Sequence, residues 1–176
     1  MVTESILRQI FVAAQLLRIR LYCPLLDKAC ERFEINTSLR LCHFLAQLGH
    51  ESGQLRYVEE LASGEAYEGR LDLGNTLPGD GVRYKGRGLI QITGRNNYAL
   101  AGLSLDLPLL DNPELLEVPE NAVDSAAWFW HNGKLNSLAD LDDLIGITKR
   151  INGGLNGFED REVLLKRAKE VLFRGH

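Results

Sequence analysis

The sequence predicts a mainly α-helical chain with one long glycine-rich loop region and little β structure. Three observations point there. Apolar residues recur at helical spacing in separate segments from the N-terminus to residue 173. Start and stop residues bracket several of those segments. The stretch 64–94 breaks the pattern, with repeated glycines, a Pro78-Gly79-Asp80-Gly81 turn cluster and only short apolar runs.

Ile6, Leu7, Ile10, Phe11, Ala14 and Leu17 form one stripe and predict a helix over 3–18, which Cys23-Pro24 ends before a short helix running to about Phe33. Asn36 or Thr37 can cap the next helix, whose apolar side comprises Leu41, Phe44, Leu45 and Leu48 and whose far end delivers Glu51. After the glycine-rich loops, with their brief extended pieces, Pro119 opens a helix that closes before Gly133 and holds Ala122, Val123, Ala126, Ala127, Phe129 and Trp130. Two more follow, over about 140–151 and 159–173. Asn152-Gly153-Gly154 stops the first, and Val163, Leu164, Ala168, Val171 and Leu172 stripe the second.

The 176 residues, 45% of them hydrophobic, suit a single domain spanning 1–176. No run of about 18 apolar residues is present, so no membrane insertion is expected, and the N-terminus lacks the build of a secretion signal. Cys23, Cys30 and Cys42 are odd in number and show no CxxC spacing, which favours reduced, buried thiols over disulfides or zinc. A net charge of −4 without a clustered basic face argues against nucleic acid.

Glycosidic hydrolysis by inversion needs one carboxyl group to protonate the leaving oxygen and another to activate water. Glu51 closes its helix in His50-Glu51-Ser52-Gly53, and Glu60 follows in a more polar setting, with Glu59 its rival. On one straight helix Glu51 and Glu60 would lie about 13.5 Å apart along the axis and on opposite faces. Gly49 and Ser52-Gly53 therefore predict a break that turns the chain back across a cleft. Helix-end dipole and apolar flank disfavour a charge on Glu51, which suits a general acid, whereas Glu60 suits the base. By composition alone, however, these are two of 24 acidic residues.

Four blocks sharpen the reading: Phe44-Leu-Ala-Gln-Leu-Gly-His-Glu-Ser-Gly53, Tyr84-Lys-Gly-Arg-Gly-Leu-Ile-Gln-Ile-Thr-Gly94, Ala126-Ala-Trp-Phe-Trp130 and Thr148-Lys-Arg-Ile-Asn-Gly-Gly154. In sequence and order they resemble glycoside hydrolase family 19, which includes plant-type chitinases and phage endolysins. The resemblance covers roughly 40–170 and implies a lysozyme-like, two-lobed helical fold and an inverting mechanism. It implies Glu51 as proton donor, Glu60 as the second glutamate in its endolysin-like placement, and Thr93 as a hydroxyl that helps hold the attacking water. Gln91 and Asn97 match residues that line the sugar cleft, and Asn152 and Arg161 match residues near the catalytic groups, the arginine keeping the base ionised. Amides and hydroxyls both donate to and accept from sugars. Apart from the resemblance, Gln91 and Thr93 read as alternating residues of a short strand, Asn97 as a turn, Asn152 as a helix cap and Arg161 as a solvated charge.

Compact size, the absence of disulfides, the glutamate spacing and the missing export signal together favour an endolysin-type enzyme. It would be made in a host cytoplasm and act on the β-1,4 glycan of peptidoglycan after release through a separate pore. A bacterial chitinase and a non-catalytic glycan-binding homologue are the alternatives. No cofactor, no metal and no separate wall-binding domain are expected, and the chain is read as a monomer. His43 and His50 lie two helical turns apart but lack a third ligand for a metal site. Arg87 reads as a structural cation, and Trp128 and Trp130 as core more than sugar-stacking rings. Gly86-Arg-Gly88 and Gly79-Asp-Gly81 complete no phosphate-loop motif, and the basic residues of the last helix are balanced by acids.

Overall fold

Thr3 caps the first helix, α1 (Glu4–Ile10), by accepting from the Ile6 amide. The computed structural model describes residues 1–174. The following helices are α2 (Leu16–Arg32), α3 (Ser38–Glu51), the single turn α4 (Asp80–Arg83), α5 (Arg95–Leu105), α6 (Pro119–Asn132), α7 (Leu135–Asp140), α8 (Leu144–Asn152) and α9 (Phe158–Phe173). Short 3-10 turns lie at Glu65–Tyr67, Leu71–Leu73 and Pro113–Glu117. Extended pairing among the described residues is limited to isolated bridges from Arg87 to Glu59 and Ile92. The mainly α expectation therefore holds.

α3 is the hub. Leu41, Phe44, Leu45 and Leu48 are all buried, and the helix packs on α9 and α7, while α1 packs on α9 and α2, and α2 on α6. Thr37 caps it through Arg40 N, as one of the two predicted candidates. Gly49 lies inside the helix, where an added Cβ would meet Phe11 Cε1 at 2.6 Å and Leu164 Cδ1 at 3.3 Å. It is a close-packing glycine that lets α1 and α9 approach, and it takes no part in the predicted break. Trp130 is fully buried edge-on against Phe44, with centroids 5.4 Å apart, and its Nε1 donates to Asn136 Oδ1 at 2.8 Å. Pro119, Gly133 and Gly153 bound their helices as predicted.

The N-terminal boundaries differ from expectation. The predicted helix over 3–18 is broken at residues 11–15, where Ala13 N donates to Gln54 Oε1, and Pro24 lies inside α2 instead of ending a helix. An interior proline costs about 3 kcal/mol, but the buried stripe Ile19, Tyr22, Cys23, Leu26, Ala29 and Cys30 continues straight through it. Fully burying one large apolar side chain is worth roughly 1.5–3 kcal/mol, so continuity of that face outweighs the lost hydrogen bond. α5 and α7 were not predicted. α5 buries only Tyr98, Ala101 and Gly102, and α7 only Leu135 and Ala139, faces too narrow to stand out as periodicity.

The glycine-rich segment is stiffened by charged side chains, two of them, Asp80 and Arg87, buried. The Glu68 carboxylate accepts from Gly79 N (2.6 Å) and Gly81 N (2.8 Å). Asp80, 2% exposed, pairs with Arg95 at 2.6 Å, and the Arg95 guanidinium stacks 4.9 Å from the Tyr84 ring centroid. Arg87 donates to Glu117 Oε1 (2.8 Å), Arg83 O (2.8 Å) and Tyr98 Oη (3.1 Å), which establishes its structural role.

Candidate active site

The chain reverses immediately after Glu51. Ser52, fully buried, donates from Oγ to Leu48 O at 2.7 Å and accepts there from Leu55 N, while its carbonyl accepts from Arg56 N and Tyr57 N, both at 2.9 Å. Gly53, Gln54 and Leu55 all hold positive φ, at 57, 58 and 68°. A left-handed non-glycine residue costs about 1–2 kcal/mol; burial of Leu55 and the Gln54–Ala13 bond hold the turn. The break thus lies one turn beyond Gly49, at 53–55.

Glu51 meets α9. Its Oε1 accepts from Arg161 Nη2 at 2.6 Å, and Arg161, 1% exposed, also donates from Nη1 to Gln47 Oε1 and from Nε to Asn156 O at 3.4 Å. Asn152 Nδ2 reaches the same Asn156 carbonyl at 3.5 Å, so Asn152 is joined to Glu51 through Arg161's own partner. The next residue pair repeats the contact: His50 Nδ1 lies 2.7 Å from Asp160 Oδ2. A Cβ on Gly157 would come within 2.2 Å of the His50 ring, so glycine makes room for it. The arginine expected beside the base is in fact paired with the proposed acid, because α3 and α9 run together while Glu60 sits beyond the reversal. Glu51 accordingly ends the helix with a cation at its carboxylate, a different setting from the purely apolar flank expected.

Glu60 belongs to the loop region. Its amide donates to Gly86 O (2.8 Å), and its Oε2 accepts from Gly86 N (3.0 Å) while Oε1 accepts from Tyr67 Oη (2.8 Å). Burial first, then the Glu60 carboxylate beside it, push the Tyr67 phenol up to about 12, so it stays protonated and a donor to Glu60 at neutral pH. Glu59 pairs with Lys85 Nζ at 2.7 Å. Neighbours on extended chain face opposite ways, which separates the two glutamates' partners.

Residues 87–92 form a tight reversal, with Arg87 and Ile92 exchanging amide-to-carbonyl bonds at 3.1 and 2.8 Å. Gln91 stands at its end with φ 60°, and its Nε2 donates to Gly88 O at 2.9 Å. Thr93 Oγ1 donates to Gln91 O at 3.0 Å, and Asn97, in the first turn of α5, donates to Thr93 O at 2.7 Å. A Cβ placed on Gly86 would lie 2.8 Å from Gln91 Oε1, 3.1 Å from Glu60 Oε2 and 3.3 Å from Thr93 Oγ1. Glu60, Gln91 and Thr93 therefore converge on one point, with Asn97 behind them.

The expected residues fall into two groups, Glu51 with Arg161 and Asn152 at the α3–α9 junction, and Glu60 with Gln91, Thr93 and Asn97 around Gly86. Among the described residues no hydrogen bond or ion pair joins the groups. Two residues that touch them went unrecognised in the sequence: Gln47, one helical turn before Glu51 on the same face, and Tyr67. The spacing of Gln47 from Glu51 was a usable signal; for Tyr67 there was none.

The scaffold is mainly α and lysozyme-like. Residues 41–157 match the family model described as Chitinase class I, and the chain belongs to glycoside hydrolase family 19. A Haemophilus influenzae protein described as containing a glycosyl hydrolase family 19 domain is 36% identical over 151 residues, 67% of this chain and 72% of that protein. An endochitinase of Arabidopsis thaliana is 45% identical over 112 residues, 62% of this chain but only 38% of its own length. In three dimensions, chitinase C of Streptomyces griseus aligns with TM-score 0.80 and 23% identity over 98% of this chain and 76% of that one. A class IV chitinase of Zea mays aligns at 0.69 and 23%, over 85% and 78% respectively. These two likenesses bear on the fold.

Proposed function

We propose that this enzyme hydrolyses the β-1,4 glycan of bacterial peptidoglycan by inversion, in the manner of an endolysin, with Glu51 as general acid and Glu60 as general base. The observation that carries the catalytic reading is the convergence of Glu60 Oε2, Thr93 Oγ1 and Gln91 Oε1 on the face of Gly86. A carboxylate and a hydroxyl side by side can hold one water, the first accepting its proton and the second orienting it. Glu51 protonates the glycosidic oxygen as the bond from that oxygen to the anomeric carbon breaks. The water attacks from the opposite face and passes its proton to Glu60. Arg161 is placed to receive the negative charge that Glu51 acquires as it gives its proton up. Glu59, engaged by Lys85, is the weaker candidate for the base.

The peptidoglycan reading draws support from the three free, buried cysteines and the nine-residue step between the glutamates. Chitin is the second reading, favoured by the plant endochitinase at 45% identity.

Parallel digestion of purified peptidoglycan and chitin oligosaccharides, with mass analysis of products, separates the two substrates; faster cleavage of chitin would reverse the preference. Proton NMR of the first product reports its anomer, and a retained β configuration would reject inversion. Glu51→Gln and Glu60→Gln are each expected to lower turnover by roughly 10²–10⁴-fold, the usual range for positioned proton transfer. A larger loss in Glu59→Gln than in Glu60→Gln would move the base role to Glu59.

A further inference from the structure

The buried amide of Gln47 is not accounted for by packing. Gln47 is wholly inaccessible within α3, its Oε1 accepts from Arg161 Nη1, and its Nε2 meets no acceptor among the described residues. A buried amide with one unmatched end costs free energy that an apolar side chain of the same volume would avoid. What the amide supplies is a fixed acceptor for one edge of a guanidinium whose other edge faces Glu51.

Three acceptors hold Arg161, one per nitrogen: Gln47 Oε1 on Nη1, Glu51 Oε1 on Nη2 and the Asn156 carbonyl on Nε. A planar fork held at three points cannot turn about its axis without breaking a bond. Gln47 and Glu51 are four residues apart on one face of α3, so the helix itself sets the spacing between two of the three acceptors. Asn156 sits in the turn between α8 and α9 and contributes only a backbone oxygen. Among the described residues Gln47 is thus the sole side chain, besides the proposed acid, that hydrogen-bonds the arginine.

We propose that Gln47 is a positioning residue for the reaction: it locks the Arg161 guanidinium so that Nη2 stays aimed at Glu51. Wholly buried, it acts through Arg161. The proposal deepens the assignment of Glu51 as acid and rests on it.

Gln47→Met keeps the side-chain volume and removes the acceptor; Gln47→Glu keeps an oxygen at the same reach. Gln47→Met is expected to lower kcat by roughly ten- to a hundred-fold, the scale on which small misplacements of catalytic groups act, with KM within about two-fold and thermal unfolding within a few degrees of wild type. Gln47→Glu is expected to recover most of the lost turnover. Nitrogen NMR of the Arg161 side chain gives a readout independent of any glycan: distinct, slowly exchanging Nη signals in wild type and Gln47→Glu, merged in Gln47→Met. Merged signals in wild type, or a Gln47→Met enzyme with wild-type kcat, would overturn the positioning role. Locked Arg161 signals together with full activity in Glu51→Gln would instead sink the acid assignment and leave the arginine lock standing.

Discussion

Gly86→Ala isolates the proposed base side of the reaction with one methyl group. The Gly86 backbone lies outside the left-handed region, so alanine is conformationally allowed there. The new Cβ would sit 2.8 Å from Gln91 Oε1, 3.1 Å from Glu60 Oε2 and 3.3 Å from Thr93 Oγ1. Gln91 Oε1 ends a flexible side chain and can swing aside, whereas Glu60 is tethered by Tyr67 and by two bonds to Gly86, and Thr93 by Gln91 O. Overpacking costs about 1–3 kcal/mol, and the freedom of Gln91 places this case near the lower end. For a chain of this size that is a fall of roughly 2–4 °C in Tm. Turnover should suffer far more, by roughly ten- to a hundred-fold, because carboxylate and hydroxyl are each displaced by a few tenths of an ångström from a shared water. The assay pairs thermal unfolding with initial rates on a soluble glycan. Gly154→Ala serves as control: nothing lies within 4 Å of its Cβ, so full turnover and a small stability gain of about 0.4–1 kcal/mol are expected. Wild-type turnover in Gly86→Ala would refute the convergence of these residues on the reaction.

Three further expectations follow from contacts elsewhere. Gly49→Ala drives a methyl into Phe11 and Leu164 and should destabilise by about 1–3 kcal/mol despite alanine's better helix propensity, read from denaturant unfolding. Arg95, chiefly through its hydrogen bonds, holds the Asp80 carboxyl below the usual carboxylate value. Its stabilisation is therefore full above the unfolded pKa of about 4 and is lost as pH falls through the depressed folded value, so the Tm gap between wild type and Asp80→Asn should close in acid. Glu51→Gln should fall within about 1 kcal/mol of wild type in denaturant unfolding, since Arg161, 1% exposed, keeps an oxygen acceptor opposite Nη2.

Much of this was legible because the relevant physics is local. The stripes of α3 and α6, the cap at Thr37 and the stops at Gly133 and Gly153 all follow from residue spacing and backbone preference, whereas in α9 Leu164 and Ala168 are buried as predicted but Val163 is 52% exposed and Leu165 is buried beside them. The Gly86-Arg-Gly88 block, with Gln91 and Thr93 beyond it, could be recognised by resemblance, and it does gather with Glu60. What escaped depends on partners distant in sequence. Pro24 is tolerated because α2 buries one face against α6, and Gly49 is explained only by Phe11 and Leu164. Arg161 met Glu51 instead of Glu60 because α9 packs along α3, a pairing across 110 residues that no spacing rule contains. Gln47 was passed over because it lies within an apolar face, where a glutamine reads as an interruption until its acceptor role is seen.

The two glutamates are supported by different physics. Glu51 is rooted in the helical body, its carboxylate fixed by an arginine of α9 and its backbone followed by the Ser52 hub. Glu60 is held by loop groups, a phenol and the amide of a glycine, within a segment stiffened by the Asp80–Arg95 and Arg87–Glu117 pairs. Separate supports would let the proposed acid and base be tuned independently, since a change along α3–α9 alters the charge beside Glu51 without touching the groups that hold Glu60. The gap of about 6.5–9.5 Å that the proposed inverting reaction needs would depend on how the reversal at Gly53–Leu55 joins the two supports. Left-handed backbone at Gln54 and Leu55 makes structural sense there, because it turns the chain from the end of α3 into the loops that carry Glu60.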